Sequence, residues 1–144
     1  MSASTPTRII IDLTTIDNEN VLLPVLKREI YHPYSDKLFA RVPSYSLEEI
    51  MAEKIRSLFQ RVRPRDIYDI WYLTDHVNPD AVKNILYQKC ECKKITPDNS
   101  TLTGKHNRFS AAWNASLRHQ MKTVPDFEKA FGRVLECVEL YTHR

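Results

Sequence analysis

Apolar residues recur at helical spacing through residues 46–62, and this pattern predicts the helix around which the chain is organised. Ser46, followed by Glu49 three positions later, forms the capping-box pattern that starts a helix. The apolar positions of the predicted helix are Leu47, Ile50, Met51, Ile55, Leu58, Phe59 and Val62. A second helix is predicted over residues 64–73, because Pro64 suits the first turn of a helix.

The remaining pattern predicts an α+β fold, in which about three short strands precede a bundle of about five helices. The predicted strands are residues 8–13, 25–31 and 37–42, and the continuous apolar run of the first is typical of a strand covered on both faces. The later helices are predicted at residues 81–92, 106–122 and 125–141. Residues 93–105 are polar and predict a loop. We therefore expect a β-region over residues 1–45 and a helical domain over residues 46–144.

Charged residues interrupt the apolar faces of the two central helices. Lys54 lies on the apolar stripe of the first helix, and Arg61 lies two turns further along, at the edge of the same face. Asp66 and Asp69 are three residues apart and share one face of the second helix. Burying a cation among aliphatic side chains is costly unless an anion lies nearby. Opposite charges on adjacent helices therefore predict a polar site set into the core.

Each charge also has a purely structural explanation. Lys54 can extend along its own methylene groups to reach solvent. Asp66 can stabilise the N-terminus of its helix, and Asp69 can pair with Arg65, four residues before it. Asp12, in the first predicted strand, either ends that strand in solvent or points into a site. The pattern alone leaves these alternatives open.

Composition restricts the class of protein. The chain has 144 residues, of which 42% are hydrophobic and 27% charged, as in an ordinary globular domain. With only 2 glycines it has no glycine-rich phosphate-binding loop, which excludes P-loop and dinucleotide-binding proteins. The net charge of +3 is compatible with a nucleic-acid partner without requiring one. Three cysteines without zinc-site spacing, no signal peptide and no membrane-spanning run predict a soluble cytoplasmic protein with reduced thiols.

The segments SLEEIMAEKIRSLFQR and RPRDIYDIWYL resemble the AbiEii/AbiGii toxin family of nucleotidyltransferase-like proteins. The earlier RIIIDL is similar to the acidic strand of that family, and FSAAWNASL and VPDFEKAF are similar to its C-terminal helices. The resemblance implies that residues 1–45 are part of a nucleotidyltransferase-like sheet. It also implies a two-gene toxin–antitoxin system, in some cases linked to phage defence. Active members transfer nucleotides from a nucleoside triphosphate, some of them to tRNA ends.

Carried onto this sequence, the resemblance implies a role for each charged residue. Asp12 would be a carboxylate ligand of Mg²⁺, and Lys54 would face the triphosphate. The nucleotide-binding cations would be Lys54, Arg61 and Arg65. The catalytic residues would be Lys54, Asp66 and Asp69, the two aspartates forming the helical acidic motif. In-line attack on an α-phosphate requires such carboxylates for the metal and cations for the leaving pyrophosphate.

The sequence also departs from the family pattern. The Gly-Gly-Ser/Thr loop and the Asp-x-Asp pair that precede the acidic strand are absent, since the only glycines are Gly104 and Gly132 and no Asp-x-Asp precedes Asp12. We therefore expect a truncated, split or degenerate C-terminal portion of such a toxin, inactive unless a complementary N-terminal half supplies these motifs. The alternative is a non-catalytic module that binds an antitoxin, a second copy of itself or RNA. An unprotected sheet edge favours a partner or a homo-oligomer in either case.

Overall fold

A computed structural model describes residues 10–11, 21–29 and 40–142 of the chain. Over these residues two strands precede six α-helices, which confirms the predicted α+β fold. The strands are β1 (Leu26–Glu29) and β2 (Arg41–Ser44). The helices are α1 (Leu47–Gln60), α2 (Pro64–Leu73), α3 (Pro79–Lys93), α4 (Asn99–Gly104), α5 (His106–Leu117) and α6 (Phe127–Thr142). A 3₁₀ turn, Thr74–His76, follows α2.

The two strands form an antiparallel pair in which Leu26 lies opposite Ser44 and Glu29 lies opposite Arg41. Strand β2 starts and ends later in the chain than the strand predicted over residues 37–42. Of the first predicted strand, the structure describes Ile10 and Ile11. These two are outside any strand and are 77% and 76% exposed, so the predicted cover on both faces is wrong for them.

The first three helices begin at residues whose side chains or ring geometry favour a helix start. The Oγ of Ser46 accepts a hydrogen bond from the Glu49 N–H at 3.1 Å, as the capping pattern predicts. Pro64 occupies the first turn of α2. The third helix begins at Pro79 rather than at residue 81, because the Asn78 side chain caps it.

Two predictions about the later helices are wrong. The predicted loop over residues 93–105 contains α4, whose first amides donate to the Asp98 carboxylate and whose Leu102 side chain is fully buried. A helix of six residues is too short to show a helical repeat of apolar residues. Only its N-terminal capping residue could have predicted it from the sequence. The predicted helix over residues 106–122 ends at Leu117, and a turn follows it.

Helix α2 lies at the centre of the bundle and packs against α1, α5 and α6, while α1 packs against α3 on its other side. The apolar faces predicted for these helices are buried; their fully buried members include Met51, Ile55, Leu58, Ile70, Phe109 and Val134. The end of α1 is held by Lys105, whose Nζ donates to the backbone carbonyls of Leu58 and Phe59, both at 2.8 Å. No helix within the described ranges combines the length and apolarity needed to cross a bilayer.

Replacing Gly132 with alanine is expected to stabilise the protein by about 0.5–1 kcal/mol. Gly132 lies inside α6 without a positive φ, and a Cβ there meets no atom within 4 Å. The gain comes from the lower entropy of the unfolded chain. Urea unfolding would measure it, with Gly104→Ala, at the last residue of α4, as the control of smaller expected effect. A loss of stability in Gly132→Ala would contradict the open space beside this glycine.

A candidate active site between helices α1 and α2

The polar site predicted between the first two helices is centred on Lys54. Its Nζ contacts Asp66 Oδ1 at 2.9 Å and Asp69 Oδ2 at 2.7 Å. Lys54 projects from α1, whereas both aspartates project from one face of α2, so the ion pairs join the two helices. The Lys54 side chain is 28% exposed, so it is only partly buried.

Asp66 is the buried member of the site, with only 1% of its surface exposed. It lies in the first turn of α2, where the helix dipole favours a carboxylate. Besides Lys54 it binds Arg61, whose Nε donates to Asp66 Oδ2 at 3.0 Å. Arg61 follows the last residue of α1 in an extended conformation, and its guanidinium is paired with Asp66 across the short connection between the helices. Two cations therefore compensate the buried carboxylate.

The pairing keeps Lys54 charged. Burial by itself lowers the pKa of Lys54, but hydrogen bonds to Asp69 and Asp66 and the charges of these carboxylates outweigh it, so the pKa is raised above its ordinary value. The ammonium is thus protonated at neutral pH. The ammonium and the Arg61 guanidinium together place two positive charges beside the two negative charges of the aspartates.

The structure brings together four of the six site residues predicted from the sequence, namely Lys54, Arg61, Asp66 and Asp69. Asp69 pairs with Lys54, and the alternative pairing with Arg65 is not formed. Arg65 instead donates from Nε to the backbone carbonyl of Ser116 at 3.2 Å and lines the same groove as Lys54 and the two aspartates. Asp12 lies outside the described residues, so its predicted metal role stays a prediction.

A groove of about 530 Å³ opens beside the site, between α2 and the end of α5. Its lining includes Lys54, Arg63, Arg65, Tyr68, Ser116 and Gln120 in addition to the two aspartates. This volume lies within the usual range for small-molecule sites. The Lys54 ammonium is therefore both buried enough to be held in place and close enough to a groove to meet a ligand.

A second buried ion pair, which the helical pattern of the sequence did not predict, lies on the opposite side of α1. Lys89 Nζ contacts Glu49 Oε1 at 2.7 Å, and both side chains are 3% exposed. Glu49 also accepts hydrogen bonds from the backbone N–H groups of Leu22 and Leu23, at 3.2 and 3.1 Å. Ser46 thus caps α1, as the capping-box pattern predicts, whereas the Glu49 carboxylate binds α3 and the segment before β1. In the sequence, the position of Lys89 at helical spacing from apolar residues of α3 could have indicated that this lysine is buried.

The described residues do not fit a divalent cation on their own. Among residues 10–11, 21–29 and 40–142, no three His, Cys, Asp or Glu side chains are grouped closely enough to hold a metal ion. Asp66 and Asp69 both already bind cationic side chains, which occupy oxygens that a hard cation would need. A complete Mg²⁺ site requires carboxylates from elsewhere.

Over the described residues the structure combines a strand-first α+β fold with a lysine–aspartate site beside a groove. A family model described as "Nucleotidyl transferase AbiEii toxin, Type IV TA system" matches residues 1–136. The chain therefore belongs to the AbiEii nucleotidyl transferase toxin family, as its resemblance to that family predicted. Neither the curated proteins nor the solved structures contain a significant match to it.

Proposed function

We propose that this chain is the C-terminal portion of a nucleotidyltransferase toxin in a cytoplasmic toxin–antitoxin system, active only when the missing motifs are supplied. The family match over residues 1–136 carries the assignment to a nucleotidyltransferase toxin, and the lack of the Gly-Gly-Ser/Thr and Asp-x-Asp motifs in the sequence supports the need for a second half. The family's type IV toxin–antitoxin description implies an antitoxin partner. The metal-binding carboxylates come from outside the described site, either from Asp12 with further residues or from a complementary N-terminal half.

In this proposal Lys54 is the residue that meets the triphosphate of a nucleoside triphosphate. Asp69 is 37% exposed, so its contact with Lys54 is the one that a phosphate can replace at low cost. Asp66 stays bound to Arg61 and fixes the position of the Lys54 stem. Arg65, at the rim of the groove, adds a second cation for the phosphates.

Calorimetry with nucleoside triphosphates and Mg²⁺ tests this function. We expect binding of the chain at micromolar to millimolar nucleotide, and loss of that binding in Lys54→Met at a temperature where the variant remains folded. Lys129→Met, on the exposed face of α6, is the matched control and should bind as the unaltered chain does. Absence of binding at millimolar nucleotide would overturn the proposal.

A transfer assay tests the dependence on a second half. Labelled nucleotide and total tRNA should give no product with the chain alone. Addition of the N-terminal half of a full-length family member, which carries the Gly-Ser and Asp-x-Asp motifs, should give labelled RNA. Transfer by the chain alone would contradict this dependence while leaving the nucleotidyltransferase assignment in place.

A non-catalytic interaction module is the second candidate, and the exposure of the sheet favours it. Every residue of β1 is exposed, and Leu26 and Val42 are 55% and 39% exposed. Two strands with open apolar side chains are marginal by themselves and favour a partner. Light scattering with and without the antitoxin measures whether the chain forms a homo-oligomer or a complex. A monomer that ignores the antitoxin and binds no RNA would exclude this candidate.

A further inference from the structure

The outward face of α6 has a glycine at its centre. The buried residues of this helix, among them Phe131, Val134 and Val138, lie on one side, and Gly132 lies on the opposite side. Glycine in the interior of a helix is destabilising relative to alanine. Nothing in the described part of the chain requires it, because a Cβ at this position meets no atom within 4 Å. The missing side chain therefore leaves room for another helix to approach the backbone of α6.

Exposed apolar surface lies near this glycine. Leu140, two turns further along α6, is 59% exposed, more than any other large apolar side chain in the described helices. Tyr72 lines a groove of about 600 Å³ together with Gly132 and is 55% exposed. The faces of the Tyr72 ring lie against Tyr68 and His76, so the ring presents its edge. Exposed apolar side chains beside a groove between two helices indicate a surface on which a further helix packs.

The charged residues of this face make it complementary to itself. Lys129 lies three positions before Gly132, and Glu136 lies four positions after it. If two copies of α6 cross antiparallel between residues 132 and 133, Lys129 of each copy lies opposite Glu136 of the other. Lys129 forms no ion pair with any residue that the structure describes, and Glu136, which is 70% exposed, has a 3.4 Å contact with Arg133. Both charges are therefore accessible to a second copy.

We propose that a second copy of the chain packs on this face, with the two α6 helices crossing antiparallel at Gly132. The contact is isologous, because the same surface of each copy takes part in it. Arg133 lies next to the crossing, and Asp75 and Glu136 compensate its charge within each copy, at 3.1 and 3.4 Å. A purely acidic or purely basic partner fits less well, because either would meet charges of its own sign on this face.

The expected dimer is weak. Stable specific interfaces bury about 1,200–2,000 Å², and one crossing of a helix of 16 residues lies at or below the lower end of that range. We therefore expect a dissociation constant on the order of 100 µM. The chain is then mostly monomeric at about 10 µM, so Lys129→Met remains a valid control in dilute unfolding experiments.

Sedimentation equilibrium of the full chain from about 10 µM to about 1 mM tests the contact. We expect a monomer–dimer equilibrium whose dissociation constant rises about tenfold or more in Gly132→Leu, because the added side chain separates the two helices. Circular dichroism shows whether this variant is folded. The matched control is Gly104→Leu, at the last residue of α4, where a Cβ also meets no atom within 4 Å. That variant should dimerise as the unaltered chain does.

Charge exchange tests the antiparallel register without adding bulk. Lys129→Glu and Glu136→Lys should each raise the dissociation constant about tenfold, because each places like charges opposite one another on both sides of the crossing. A mixture of the two variants should form a heterodimer, since every facing pair then has opposite signs again. Salt at about 0.5 M should weaken the dimer of the unaltered chain.

A variant of the sheet separates this contact from association through the exposed strands. Leu26→Glu, on β1, should leave the dimer intact, whereas Leu140→Glu should weaken it. The proposal is overturned if the chain stays monomeric at millimolar concentration, if folded Gly132→Leu dimerises as the unaltered chain does, or if the mixed charge variants remain monomeric. The groove at Gly132 shares no residue with the groove beside Lys54, so none of these outcomes decides whether the chain binds nucleotide.

Discussion

Replacing Lys89 with methionine is expected to lower the free energy of unfolding by about 3–5 kcal/mol. The substitution leaves the Glu49 side chain, which is only 3% exposed, without the ammonium partner that lies 2.7 Å away. The backbone N–H groups of Leu22 and Leu23 still donate to Glu49, but they carry no net charge to offset the buried anion. Chemical unfolding followed by circular dichroism gives the measurement.

Two further variants assign this loss to the ion pair. Lys93→Met removes an exposed lysine from the last turn of the same helix and should cost under about 1 kcal/mol. Combining Lys89→Met with Glu49→Gln should recover much of the stability, because residue 49 is then uncharged and Glu53, which also contacts Lys89 at 3.5 Å, keeps its pairing with Arg56. If Lys89→Met unfolded at the same denaturant concentration as the unaltered chain, the pair would have to be solvated in solution.

The same helix explains which parts of the site the sequence could predict. Lys54 and Arg61 face α2, and Asp66 and Asp69 follow after a short connection, so helical spacing and one turn were enough to bring these charges together. The family resemblance then gave them candidate roles. The helical spacing could not predict that both aspartates are already paired with cationic side chains.

The ion pair between Glu49 and Lys89 could not be predicted from the spacing of residues within one helix. Glu49 lies in the first turn of α1, where a carboxylate is expected for capping, and Lys89 lies on the distant helix α3. Only the packing of α1 against α3 makes them neighbours. Helix α1 thus directs an anion toward α3 and a cation toward α2, and each buried charge fixes one helix contact. The sheet was harder to predict, since its strands have few buried positions to set their bounds.

Replacing Lys54 with methionine is expected to destabilise the protein by about 2 kcal/mol. Asp66 remains buried but keeps Arg61, and Asp69 is exposed enough to be solvated, so the loss should be smaller than for Lys89→Met. Lys54→Met with Asp66→Asn should recover part of it, because the amide fits the same turn without a charge. Thermal unfolding with Lys129→Met as the control makes the comparison.

The pH dependence gives the Lys54 prediction a second test. Because the folded protein raises the pKa of Lys54 above 10.5, its contribution is complete below that pH and is lost only as the pH rises through the folded pKa. The stability difference between the unaltered chain and Lys54→Met should therefore be constant from about pH 6 to 9 and shrink above pH 10.5. A Lys54→Met variant as stable as the unaltered chain would mean that the ammonium faces the open groove and that its pairing with the aspartates contributes nothing. A loss that is present and constant over this range would mean that the residue proposed to meet a triphosphate also holds α1 to α2, so its effect on nucleotide binding must be measured on folded protein.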